Sequence, residues 1–142
     1  MVTCRLILAD QPEFEQALQL RHMVFVEEQG VPPELERDEH DGSALHAMAF
    51  QDGRLLGTAR LVSDGARGKI GRVAVLSQAR GQGTGVELMR FLEQQAGQMR
   101  LSELYLDAQL AVIGFYERLG YAAEGEIFLD AGIQHRRMRK QL

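Results

Sequence analysis

The chain has 142 residues, 45% of them hydrophobic and 25% charged, with a formal net charge of -4. These proportions suit one globular domain spanning 1–142, with a full core and little room for a second. The acidic balance carries no electrostatic footprint for nucleic acid, no apolar run approaches the roughly 18 residues of a membrane span, and no basic-then-apolar leader opens the chain, so a cytoplasmic protein without nucleic-acid or membrane partners is expected.

Cys4 to Leu8 reads as a first strand. Cys4 is the only cysteine, so it has no internal disulfide partner, and no metal-ligand spacing surrounds it; no metal is expected. Asp10 and Glu13 flank Pro12 in a helix-start pattern, and Phe14, Ala17, Leu18, Val24 and Phe25 then recur at helical spacing towards Glu27. Arg21 falls inside that apolar stripe, where its stem can pack while its head reaches water, a carboxylate or a substrate. From Glu27 to Asp41 the periodicity stops, and Pro32-Pro33 forbid a continuous helix. Seven of the chain's 20 acids crowd into that stretch, opposed by Arg37 alone. The segment is either a solvated loop or a rim that recruits a cationic substrate, with Glu28, Glu39 and Asp41 as candidate contacts.

Leu45 to Phe50 and Leu55 to Val62 are strand-like and meet through Asp52-Gly53, a hairpin signal. Lys69 to Val75 forms another strand. A short polar link leads from it into Arg80-Gly81-Gln82-Gly83-Thr84-Gly85, which opens directly into a helix-period segment, Val86 to Met99, with Leu88, Met89, Leu92, Ala96 and Met99 inward. Such a turn presents bare backbone N–H groups to an anion, the helix dipole adds to their pull, and Arg80 brings a cation to the same place. The local reading is a pyrophosphate cradle. A Walker loop needs Gly-Lys-Ser/Thr, which is absent, and a dinucleotide fingerprint needs a glycine where Val86 stands. Glu103 to Ala108 is a buried-type strand, Ala111 to Leu119 a short helix ended by Gly120, and strands over Tyr121 to Phe128 and Ile133 to Arg139 close around Asp130-Ala131-Gly132.

Arg80-x-x-Gly83-x-Gly85 resembles the Arg/Gln-x-x-Gly-x-Gly/Ala element of the GNAT superfamily of acyl-CoA N-acyltransferases, and Phe115-Tyr116 followed by Gly120-Tyr121 resembles a second motif of that family. Val24-Phe25-Val26, Glu28-Gln29, Val31-Pro32 and Asp38, with Phe128 to Ile133 followed by His135 and Met138, are similar to its ElaA/YjcF-like branch. The chain departs from that branch at Asp107, where relatives carry Asn, and at Gln134, where they carry Pro. The resemblance implies an α/β GNAT fold: a mixed, mostly antiparallel central sheet flanked by helices and splayed at the acetyl-CoA site. It implies acetyl-CoA as co-substrate, with phosphates on Arg80, Gly81, Gln82, Gly83, Thr84 and Gly85, the pantetheine arm along Val73, Ala74 and Val75, and Gln109 and Phe115 alongside.

The chemistry implied is acetyl transfer to a primary amine of a small molecule or peptide, in a ternary complex. It needs an N–H donor for the oxyanion, a proton acceptor and a proton donor. The backbone of Val73 to Val75 is the expected oxyanion donor and Tyr116 the acid for the departing thiolate. His46 is the candidate base, with Arg21, Glu28, Glu39 and Asp41 as candidate substrate contacts; His22, His40 and His135 rank behind it. A CoA-binding regulatory module without turnover is the alternative, and the protein is expected as a monomer or homodimer.

Overall fold

The computed structural model describes residues 1–142. In chain order the elements are β1 (Thr3–Ile7), α1 (Phe14–Arg21), α2 (Pro33–Glu36), β2 (Leu45–Gln51), β3 (Arg54–Asp64), β4 (Arg67–Val75), α3 (Thr84–Gln98), β5 (Glu103–Gln109), α4 (Ile113–Arg118), β6 (Ala122–Asp130) and β7 (Ile133–Gln141). They build one seven-stranded sheet in the order β1-β2-β3-β4-β5-β7-β6. No helix is long and apolar enough to cross a membrane.

Alternation along the strands sorts side chains to two faces. Ala47, Ala49, Ala59, Leu61, Leu104, Leu106 and Met138 meet Leu88, Met89, Leu92 and Ala96 of α3 in the main core. On the other face Met48 packs with Phe14 and Ala17 of α1, and Ala74 with Leu20 and Val24. No side chain caps the start of α1; Gln11 instead accepts the amide of Leu8 at 2.7 Å. Nor does the helix run unchanged to Glu27, because His22–Glu28 widens into a π-helical stretch. The wider turn lets Val24 join Leu20 on the sheet while Glu28 and Gln29 emerge at the surface. The Asp52-Gly53 turn is as read, with φ of 53° and 77°.

The sheet's one parallel pairing shapes the site. β4 and β5 are bonded only where Arg67 to Lys69 face Glu103 to Tyr105. Beyond that point β4 continues on β3 and β5 continues on β7, but they no longer pair with each other. A bulge lies at this parting: Thr58 faces Ala74 while Arg60 faces Gly71, so Arg72 and Val73 together oppose Ala59. Arg72 has φ of 49°, left-handed for a residue with a long side chain. The extra residue bends β4 and inverts its alternation, turning Ala74 towards α1 and Val73 and Val75 towards α3.

Candidate active site

The parted strands open a cleft of ≈ 1160 Å³ whose lining includes Val73 to Val75, Arg80, Gly81, Gly83, Thr84, Gly85, Gln109, Phe115 and Tyr116. The sequence-predicted residues of the cradle, the strand and the short helix therefore converge on one space. Gln82 does not line it; its side-chain amide turns back to the carbonyl of Gln78 at 3.2 Å.

Backbone geometry explains the glycines. Gly81 and Gly83 have φ of 76° and 88°, with open space where a Cβ would project. Gly83 is the N-cap of the 15-residue helix α3, so its amide neighbourhood points bare N–H groups at the cleft mouth. At Gly85 a Cβ would lie 3.1 Å from the Phe115 ring, so the absent side chain is what lets α4 approach the turn. Thr84 is buried and its hydroxyl is the one fully buried side-chain polar atom left without a partner. An orphaned hydroxyl beside a glycine cradle of this shape suits a polyanionic ligand bearing further hydrogen-bonding groups, as CoA does.

Arg80 is less free than the sequence suggests. It grips Glu28 through two hydrogen bonds of 2.7 Å and gives its Nε–H to the Val75 carbonyl at 3.0 Å. That pairing raises the guanidinium's pKa and lowers that of Glu28. Across the cleft, Gln109 donates to Gln29 at 3.0 Å. Two consecutive residues at the end of the π-helical segment, Glu28 and Gln29, thus tie down one lip each. Nothing in their sequence spacing announces this.

Tyr116 sits inside the cleft at 7% exposure, edge-on to both Phe115 and Tyr121. Burial alone pushes its pKa up to about 12. Its hydroxyl is not committed to another protein group, unlike that of Tyr121, which donates to Glu93 at 2.7 Å.

The expected base is in the wrong place. His46 is 1% exposed, packs on Phe14 with ring centroids 4.4 Å apart, and gives Nε2–H to the Asp41 carbonyl at 3.0 Å. It does not line the cleft. Burial lowers its pKa against the pull of that carbonyl, which fits a neutral ring filling the space between β2 and α1.

The acidic rim is also corrected. Arg21, 1% exposed, holds Glu36 at 2.6 Å and Asp41 at 2.7 Å; Arg60 holds Asp38 at 2.6 Å and Asp41 at 3.0 Å; Arg72 reaches Asp38 at 3.1 Å. Arg72 also donates to the carbonyls of Leu35 and Glu36, which anchors the bulge of β4 to the acidic segment. Burial would raise the pKa of Asp41, but the hydrogen bonds and charge of Arg21, helped by Arg60, hold it well below the usual carboxylate range. Four of the seven acids are thus spent on arginines. Arg21 and Asp41 are sealed inside this network, at 1% and 4% side-chain exposure, and Glu39 stays at the surface, 3.9 Å from its neighbour His40. Asp107 is likewise paired, with Arg137 at 2.6 Å and Lys69 at 3.2 Å, contacts an asparagine would not make as a charge.

Comparison with known proteins agrees with this geometry. Residues 10–142 match the family model described as an acetyltransferase (GNAT) domain. The chain is 35% identical to the uncharacterized N-acetyltransferase YjcF of Bacillus subtilis over 135 residues, covering 94% of this chain and 96% of that protein. It is 32% identical to protein ElaA of Escherichia coli, covering 88% of this chain and 85% of ElaA. Among solved structures, an acyl-CoA N-acyltransferase from Pseudomonas aeruginosa superposes with a TM-score of 0.87 at 38% identity, covering 99% of each chain.

Proposed function

The chain belongs to the GNAT acetyltransferase family, in its ElaA/YjcF-like branch, and from that premise we propose that it transfers the acetyl group of acetyl-CoA to a primary amine of a small molecule or peptide, by direct attack in a ternary complex. The observation that carries this reading is the gap between β4 and β5, with glycine amides at its mouth and an uncommitted phenol inside it. Acetyl-CoA supplies the acyl group activated as a thioester. The turn from Arg80 to Gly85 would hold its phosphates, and the open edge of β4 beside the bulge would run along its pantetheine arm.

The remaining roles follow from the chain's own groups. Backbone N–H groups alternate between the two edges of β4: Ala74 faces Thr58 of β3, so it is the N–H of Val75, on the edge that no strand pairs, that is free to stabilise the oxyanion. Tyr116 keeps its proton at neutral pH because burial disfavours the phenolate. The same burial penalises a thiolate formed beside it, so the proton affinity of the leaving sulfur rises along with that of the phenol.

The test is turnover. Purified protein with acetyl-CoA and a panel of primary amines should release CoA, read with a thiol reagent, and give acetylated amine by mass spectrometry. Tyr116→Phe keeps the ring and removes only the proton, so kcat should drop at least tenfold with acetyl-CoA affinity nearly intact, the lower end of what general acid catalysis contributes (about 10²–10⁴) being trimmed by water acting in its place. Acetyl-CoA binding without acetylated product from any amine would leave a binding module. A Phe variant as fast as the wild type where chemistry limits kcat would make Tyr116 a packing residue.

A further inference from the structure

An amine that attacks a thioester sheds a proton from nitrogen as the C–N bond forms, and none of the residues given a role above accepts it. His46 is sealed away from the cleft. His22 stands at the surface with its side chain 53% exposed, and His40, although it reaches the cleft lining, is 54% exposed and open to water. Of the carboxylates along the cleft, Glu36 is engaged with Arg21, Asp107 with Arg137 and Lys69, and Asp64 with the Tyr105 hydroxyl, while Asp130 stands exposed to water at the end of β6.

His135 differs from all of these. It lines the cleft at 9% exposure, and its Nδ1 lies 2.7 Å from the Ile133 carbonyl oxygen. A carbonyl only accepts, so Nδ1 carries the hydrogen and Nε2 keeps its lone pair. The ring stacks on Phe128, with centroids 5.9 Å apart and planes 23° from parallel, which holds its orientation. Strand register supplies the rest. His135 faces Gln109 across β7 and β5, on the side that also carries Asp107 and Arg137. Leu106, Ala108 and Tyr116 belong to the opposite side, in the core beneath α3. The imidazole and the phenol therefore address the gap from its two faces.

We propose that His135 is the general base of the acetyl transfer, an inference that rests on the amine-acetylation reading above. The amine nitrogen bonds to the carbonyl carbon and its proton passes to Nε2 of His135, directly or through one water. The C–S bond breaks, and the sulfur takes the Tyr116 proton. The imidazolium then releases its proton to solvent and the phenol regains one, so amine plus thioester become amide plus thiol. The charged groups around the ring are Asp107 and Arg137, two places along on the same side of β5 and β7, Lys69 behind Asp107, and Asp130 at the end of β6.

His135→Asn tests this with little disturbance, because its amide nitrogen can replace Nδ1 as donor to the Ile133 carbonyl. With the best amine of the panel, kcat should fall about 10²–10⁴-fold, the acid limb of the wild-type kcat/KM profile should vanish, added imidazole should restore part of the rate, and acetyl-CoA affinity should hold within about twofold. A variant that keeps both the rate and the acid limb overturns the proposal. If His135→Asn melts early, His135→Gln is read the same way. Nitrogen-15 shifts of the wild-type imidazole need no acceptor: the tautomer with its hydrogen on Nδ1 is expected, and the Nε2–H tautomer overturns the assignment. Failure of the wild type to acetylate any amine would instead count against the acetylation reading, while the tautomer still decides whether Nε2 is free.

Discussion

The turn Arg80 to Gly85 and the segment Glu27 to Asp41 face each other at one cleft, joined by the Arg80–Glu28 pair, yet they solve opposite problems. The turn leaves polar groups unmatched: amides at a helix start, glycines with nothing beside them, and the Thr84 hydroxyl without a partner. The acidic segment matches its less exposed acids. Its Glu36, Asp38 and Asp41 are consumed by Arg21, Arg60 and Arg72, and they fasten the segment to the bulge of β4. Unmatched groups mark where a ligand goes. Dense charge marks, in this protein, a strut.

The largest effect expected from breaking that comparison is on stability. Asp41→Asn removes the carboxylate shared by Arg21 and Arg60 at 4% side-chain exposure, and leaving buried guanidinium charge uncompensated should cost about 3 kcal/mol, lowering Tm by roughly 10 °C for a chain of this size. The same carboxylate sets an acid limit. Its folded pKa is depressed, so its contribution is present above the unfolded value of about 3.9 and is lost as pH falls through the folded value. Acid unfolding of the wild type should therefore begin below pH ~4, and Asp41→Asn should flatten that limb. An Asn variant with wild-type Tm and an unchanged acid limb would show the network to be ornamental.

A smaller effect sharpens the other side. A free acidic rim would draw cationic amines and lose that pull as salt shortens the screening length from about 10 Å at 0.1 M. With four of the seven acids held by arginines, the acceptor KM at saturating acetyl-CoA should change by less than about twofold between ~0.05 and ~0.5 M salt. A steep rise in KM for a cationic amine would restore the recruiting rim.

The contrast also explains what the sequence could tell. The cradle was legible because its parts are adjacent: a strand, a glycine turn and a helix start within Lys69 to Met99, each with a local signature. The short helix with Phe115 and Tyr116 was legible for the same reason, aided by a recognisable motif. The acidic segment was misread because its partners lie 15 to 52 residues away along the chain. His46 and His135 are indistinguishable as isolated histidines between strand residues. Only strand order and register decide which of them meets the cleft, and neither leaves a mark in composition or spacing. The π-helical turn over His22–Glu28 was hidden because its apolar spacing also fits an ordinary helix.

The central claim is that the parted strands and the glycine turn form an acetyl-CoA site, and calorimetric titration of acetyl-CoA into wild type and Gly83→Val tests it most directly. Gly83 has φ of 88° and no neighbour within 4 Å of a would-be Cβ, so valine meets no protein atom and the fold should survive, while its branches and the left-handed strain would disturb the amides aimed at the phosphates. Binding to wild type is expected, with at least a tenfold loss of affinity, ~1.4 kcal/mol or more, in a Gly83→Val protein that stays folded with its melting temperature lowered by several degrees through that strain. Equal affinity in the two folded proteins would contradict the claim.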